Sequence, residues 1–225
     1  CYSTVSSEGM IVCTTSTIDG NTVVIFNTST SQNLTTYDIG GTGSSGTVNS
    51  DCLFWENSTD AIIAYEDSGT ANNNFLIRQY YSSNKSLGMP ITVSFDTPAS
   101  GSGVLSRLKL KQRPNCNCNE TILTATNNGG TNDSALMQII NWSADKGFNF
   151  SMNWSTPQGF QVVAGNGNEF EGAYTSDGKY HCGIGTNATG GNSGNASIFC
   201  INLTTYSMVR GGNATLFNQS GVAID

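Results

Sequence analysis

The chain is written in short runs that are apolar or alternate apolar with polar, separated by clusters of Gly, Asn, Ser, Thr and Asp. Alternate positions share hydrophobic character, and the repeat of a helix face is nearly absent. The runs predict strands over 1–5, 10–14, 22–26 and 34–39, then over 52–56, 61–65, 75–81 and 90–95. They continue over 104–110, 121–126, 135–140 and 148–152, and close with 170–174, 180–184, 197–201 and 206–210. Turn residues punctuate them at Glu8-Gly9, at 57–60, at the cysteine-bearing segment near 120, and at Asp177-Gly178.

The same layout therefore occurs four times: strand, tight turn, strand, small-residue loop, strand, short link, strand. The repeats span approximately 1–48, 49–99, 100–160 and 161–225 of a single all-β domain. Their period of about 50 to 60 residues is near the scale of propeller blades with long loops. Four-stranded antiparallel units set radially protect their edges, so the expected fold is a small β-propeller of about four blades. Two β-sandwich domains of about 110 residues fit the same strands and are the alternative.

Two stretches carry a family resemblance. They are Ala173-Tyr-Thr-Ser-Asp-Gly-Lys-Tyr-His-Cys182 and Ala196-Ser-Ile-Phe-Cys-Ile-Asn-Leu-Thr-Thr-Tyr-Ser-Met-Val209. Together they resemble a blade of the YVTN-type surface-protein β-propellers: strand, Ser-Pro-Asp-Gly-Lys turn, strand, Val-Ile-Asp-x-x-Thr, final strand. The first repeat is similar at Asn21-Thr-Val-Val-Ile-Phe-Asn-Thr-Ser-Thr30; the second and third share only the layout. The resemblance implies a secreted or surface-displayed binding scaffold and transfers no catalytic residue.

Composition adds the compartment. Fourteen positions fit the Asn-x-Ser/Thr acceptor pattern: Asn27, Asn33, Asn57, Asn84, Asn119, Asn132, Asn141, Asn149, Asn153, Asn187, Asn195, Asn202, Asn213 and Asn218. The Asn, Ser and Thr content places about six there by chance. Occupied acceptors belong on the surface, because a branched sugar cannot be packed in a core. Seven cysteines, Cys1, Cys13, Cys52, Cys116, Cys118, Cys182 and Cys200, point with them to disulfides in an oxidising compartment. Cys182 and Cys200 fall in consecutive predicted strands that can bring them within bonding distance. Cys116 and Cys118 are expected to bond elsewhere rather than to each other. Cys1 can reach another repeat, a lipid or another chain, and a disulfide suits the sequon density best. The odd count leaves at least one thiol free, bonded to another chain, or bonded to a segment outside these 225 residues. The opening at Cys1, with no leader, reads as a mature or trimmed form.

Charge narrows the partners. A net charge of −7, with nine Lys and Arg, argues against nucleic acid. No apolar run approaches the ~18 residues of a membrane span. Four of the basic residues, Arg107, Lys109, Lys111 and Arg113, alternate with Leu108 and Leu110. On a strand this gives one basic face, either solvated or set against an acidic copy of the chain or an anionic glycan.

Catalytic patterns are weak. The single histidine, His181, reads as a strand residue at a blade surface, and no Gly-x-Ser-x-Gly elbow exists. Glu56, Glu66, Asp67, Glu169 and Glu171 are possible members of a carboxylate pair. No cofactor or zinc site is expected, since Cys116-x-Cys118 is too tight for a knuckle. Structural calcium could draw only on Asp19-Gly-Asn21, Glu66-Asp67 and Asn132-Asp133, which turn chemistry also explains.

The expected function is a non-enzymatic, heavily N-glycosylated extracellular protein, a self-assembling subunit of a filament, coat or matrix. Asn57 and Asn119 are expected in first turns, Asn27, Asn33, Asn84, Asn141 and Asn202 in links, and Asn132, Asn187 and Asn195 in middle loops. The sequon-free stretches near Asp19, at 107–113 and at 159–167 are the expected contact zones. The alternative is a ligand-binding or glycan-acting propeller with its site at the central mouth.

Overall fold

A computed structural model describes residues 1–13, 21–40, 50–56, 58–66, 74–94, 104–115, 119–128, 134–143, 147–155, 170–189, 193–205 and 207–216. These residues form antiparallel sheets and no helix. Each sheet is built from strands consecutive in the chain. The first is β1 (Glu8–Cys13), β2 (Asn21–Asn27) and β3 (Asn33–Gly40), in that order. The second is β4 (Ser50–Phe54), β5 (Ala61–Glu66) and β6 (Asn74–Tyr81), with β7 (Ser86–Leu87) and β8 (Ile91–Ser94) both paired to β6. The third runs in spatial order β12-β11-β10-β9, from β9 (Val104–Gln112), β10 (Asn119–Asn128), β11 (Ser134–Ser143) and β12 (Gly147–Ser155). The fourth is β13 (Phe170–Tyr174), β14 (Tyr180–Thr189), β15 (Ser193–Asn202) and β16 (Ser207–Leu216).

The first sheet has three strands, not four. Residues 1–5 meet β1 at the single Tyr2–Gly9 bridge and the backbone bonds beside it, from Ser3 N–H to the Glu8 carbonyl and reciprocally between Cys1 and Met10. The cause is Ser3, whose Oγ accepts from the backbone N–H of Val5 and Ser6 at 3.2 and 3.1 Å and curls the chain away from extension. Glu8 and Gly9, expected as a turn, open β1 instead. Gly9 is there for packing: a Cβ on it would lie 2.4 Å from the Phe26 ring.

The chain divides into two compact units, Cys1–Ser94 with Leu108–Gln112, and Phe95–Arg107 with Arg113–Asp225. In the first unit, Met10, Val23, Ile25 and Ile39 of the first sheet pack on Phe54, Ala61, Ile63, Tyr65 and Tyr80 around the second. Cross-strand register puts Ala61, Ile63 and Tyr65 on one face of β5, and Ile62 and Ala64 on the other. Ile62, Ala64, Phe75 and Ile77 are buried too, so the second sheet is covered on both faces. Leu108 and Leu110 are likewise buried in this unit, each contributing about 1.5–3 kcal/mol.

The second unit repeats the pattern. Every residue of β10 from Glu120 to Ala125 is buried, and Met137 to Ile140 of β11 with it. Mostly apolar and hydroxyl side chains, with Glu120 and Gln138 among them, thus lie buried on both faces of β10 and β11. In the fourth sheet, Ile201 and His181 are buried, and Leu203 is buried in the turn that follows β15.

Candidate functional site

The acceptor asparagines fall into two structural classes. Asn84 lies in the turn between β6 and β7, exposed, and the Ser86 hydroxyl two residues on donates to its Oδ1 at 2.6 Å. Asn27 and Asn202 end β2 and β15, and each folds its hairpin in the same way. The Asn27 Oδ1 accepts from the N–H of Ser29 and Thr30 at 2.9 and 3.1 Å; the Asn202 Oδ1 accepts from Thr204 and Thr205 at 2.8 and 3.2 Å. Asn33 is exposed at the start of β3.

The second class sits inside strands. Asn119, expected in a turn, begins β10, and Asn141, expected in a link, lies within β11. Asn187 and Asn195, expected in a loop, belong to β14 and β15. All four are drawn into strands because the neighbouring strand supplies a backbone partner at each position, whatever the local polarity. Asn141 stands directly across from Asn149, and Asn187 directly across from Asn195. Asn153 and Asn213 lie in β12 and β16. Asn57, Asn132 and Asn218 lie outside the described residues.

Two disulfides are described. Cys182 and Cys200 are direct register partners of β14 and β15, with Cα atoms 4.0 Å apart. Cys1 reaches Cys52 of β4, with Cα atoms 5.8 Å apart. This ties residues 1–3 to the second sheet and removes Cys1 as a link to a lipid or a second chain. Cys13 ends β1, and Cys116 and Cys118 lie outside the described residues.

The basic strand is only partly a free face. On β9, Lys109 is exposed between buried Leu108 and Leu110. Arg113, just past the strand end, turns inward. Its Nε donates to the Gly178 carbonyl at 2.7 Å, and its Nη1 pairs with both oxygens of Glu120 at 3.2 and 3.3 Å. Asn115 Nδ2 donates to the Ser176 carbonyl at 2.6 Å. The segment clamps the Asp177-Gly178 turn, where Gly178 has φ +67° and a Cβ would lie 2.6 Å from the Pro114 carbonyl oxygen. Burial pushes the Glu120 carboxyl above its ordinary pKa, against the pull of Arg113. Tyr174 is pushed up as well, by burial first and then by the Glu120 charge. In the first unit Asp51 is also raised by burial, although it accepts from Leu110 N–H at 2.7 Å and Cys52 N–H at 2.9 Å.

Two buried polar groups escaped the sequence reading. His181 is at no surface: its ring meets Tyr174 edge to face at 5.2 Å and fills the space a Cβ on Gly172 would need. Glu8 is buried and accepts from Ser82 Oγ at 2.8 Å and Tyr80 OH at 3.3 Å, with Lys85 Nζ as its ion-pair partner. Nothing local to Glu8 in the sequence signals this cluster, since its partners lie more than seventy residues away.

Among the proposed acids, Glu56 is exposed, with its backbone N–H bonded to Gln112 Oε1, and Glu66 ends β5. Glu171 lies in β13, while Asp19, Asp67, Asn132, Asp133 and Glu169 lie outside the described residues. Asn21 opens β2. The contact zones near Asp19 and at 159–167 are outside them too. Among the described residues no three His, Cys, Asp or Glu side chains gather as metal ligands, and no helix is long and apolar enough to cross a membrane. No protein-family model matches the chain, and no curated protein does.

Proposed function

We propose that the chain is an N-glycosylated structural or interaction protein of the cell exterior, a subunit that assembles with its own copies into a filament, coat or matrix. The observation that carries this reading is the sequon count, fourteen against about six from composition. The two disulfides support the oxidising compartment that N-glycosylation requires. Beyond the two described disulfides stand Cys13, Cys116 and Cys118, an odd number that suits a bond from one thiol to a neighbouring chain.

The scaffold we propose is a four-bladed propeller of the kind the Asp177-Gly178 segment resembles. Its support is the burial of both faces of β5 and β10. A two-layer sandwich buries one face of each sheet and exposes the other. The sequential order of strands within each sheet supports blades as well. A closed ring of 225 residues has a radius of gyration of about 17 Å, which solution scattering on sugar-free protein measures. A much larger value refutes the ring.

The deciding experiment is intact mass before and after glycan removal, with and without reductant, on protein secreted from a glycosylating host. A mass excess that glycan removal abolishes, and a larger species that reductant splits, are expected. A bare, monomeric chain overturns the reading. Reversing Lys109 and Lys111 to Glu weakens self-association if the basic strand meets an acidic neighbour; an unchanged association constant removes that contact.

A further inference from the structure

We infer that closure of the Cys182–Cys200 disulfide limits sugar transfer to Asn187 and Asn195, so that the two modifications of one hairpin compete during folding. The inference rests on the proposed glycosylation. It follows from register. Cys182 faces Cys200, and five steps further along the same two strands Asn187 faces Asn195. β15 is flanked on its other side by β16, where Asn195 faces Thr215. Asn195 therefore lies in the middle strand of three, its backbone committed on both sides.

Transfer needs the opposite state. The Asn Nδ2 attacks the anomeric carbon of a polyprenyl-phosphate-activated oligosaccharide. A new N–C bond forms, the C–O bond to phosphate breaks, the lipid phosphate leaves, and the amide proton passes to a base on the transferase. The enzyme must enclose the asparagine and grip the hydroxyl two residues on, so the acceptor backbone cannot be paired in a sheet. Asn84 meets this requirement in the folded protein, being exposed in a turn with the Ser86 hydroxyl already on its amide oxygen. Asn187 and Asn195 meet it only while β14 and β15 are apart.

The disulfide ends that interval. When the two thiols pass two electrons and two protons to a dithiol–disulfide oxidant, Cys182 and Cys200 fix the register that pairs the acceptors. The bond closes a short loop, with a separation of 18 residues, so it forms soon after the hairpin is synthesised. Asn141 and Asn149 are paired across strands in the same way, but both described disulfides lie elsewhere. They serve as the internal control.

The test is site-by-site occupancy by glycopeptide mass spectrometry, comparing the natural chain with the Cys182→Ser/Cys200→Ser variant from the same host. The modified fraction at Asn187 and Asn195 rises in the variant, while Asn84, Asn141 and Asn149 hold their values. A brief pulse of membrane-permeant reductant during synthesis of the natural chain gives the same rise, and decides the matter if the variant is not secreted. Equal occupancy at Asn187 and Asn195 with and without the disulfide, with Asn84 occupied, overturns this inference and leaves the proposed function standing. An unmodified Asn84 together with an unmodified hairpin overturns both.

Discussion

The buried carboxylate of Glu8 offers the sharpest test of how the first unit is held. Glu8 opens β1, is only 7% exposed, and accepts hydrogen bonds from Ser82 and Tyr80 of the second sheet's hairpin. The Lys85 side chain that pairs with it is 43% exposed, so solvent screening keeps that ion pair to about 1 kcal/mol or less. The two hydroxyl bonds end on a buried charge and are worth about 1.5–3 kcal/mol each, the longer Tyr80 bond at the low end. Glu8→Ala then costs about 3–4 kcal/mol, because it also leaves both hydroxyls unpaired in the core. Glu8→Gln keeps one acceptor for Ser82 but turns an amide donor toward the ammonium, and costs about 1–2 kcal/mol. Lys85→Met costs about 1 kcal/mol at most. Urea unfolding measures the series as shifts in midpoint at constant slope. The donor stays in place at high pH, since burial, followed by the charges of Tyr37 and Asp60, pushes the Tyr80 phenol up to about 12. If Lys85→Met destabilises as much as Glu8→Ala, the ion pair holds the sheets and the hydroxyl argument is refuted.

Three other outcomes follow from the same geometry. Gly178→Ala costs about 1–3 kcal/mol, from a left-handed backbone and a Cβ against the Pro114 carbonyl, and thermal unfolding shows it; a neutral result means the turn relaxes freely. Glu120 has a folded pKa raised above its unfolded value, so the folded state takes up its proton first as pH falls from neutral toward the ordinary carboxylate value of 4.5. The stability of the natural chain relative to Glu120→Gln therefore improves on acidification through that window; a change in the other direction shows that the Arg113 attraction outweighs burial. Replacing Cys1 and Cys52 together by Ser opens a loop with a separation of 51 residues and costs about 4 kcal/mol by chain entropy, against about 3 for Cys182 and Cys200 with a separation of 18. Calorimetry on the two double variants gives the order.

Strands were legible where short apolar runs stand between turn residues, as in β2, β5 and β11, because a strand buried on both faces, as β5 is, asks for apolar side chains at consecutive positions. They were misjudged where the pairing of small polar residues extends them. The segments around Asn187 and Asn195 are nearly all small and polar, which is also the composition of a loop, and only the ten-residue register with the facing strand makes them sheet. Glycine was ambiguous for a similar reason. Gly178 marks a turn through its positive φ, whereas Gly9 and Gly172 mark places where the rings of Phe26 and His181 lie against the backbone. Neither contact is local in sequence, so neither could be read from it. Burial of His181 and Glu8 was hidden likewise, since each depends on residues from another strand.

The sequons pose the same question of cause, and here the structure separates two answers. Asn27 and Asn202 have a structural reason to be asparagine, because each Oδ1 ties down a hairpin by accepting two backbone N–H groups. Those bonds ask nothing of the side chain two residues later: Ser29 and Thr204 enter them through the backbone alone. Any residue with an N–H would serve the turn, yet both positions carry the hydroxyl that completes an acceptor site. A glycan on Nδ2 would leave Oδ1 free to keep both bonds, so the turn and the sugar are compatible at one asparagine. Turn chemistry thus accounts for the asparagine but not for the hydroxyl, for which the proposed glycosylation would supply a reason. If Ser29→Ala and Thr204→Ala abolish modification at Asn27 and Asn202 without moving the unfolding midpoint, the two roles are separable as the hydrogen bonds imply; a loss of stability on the bare chain would return the hydroxyls to the fold.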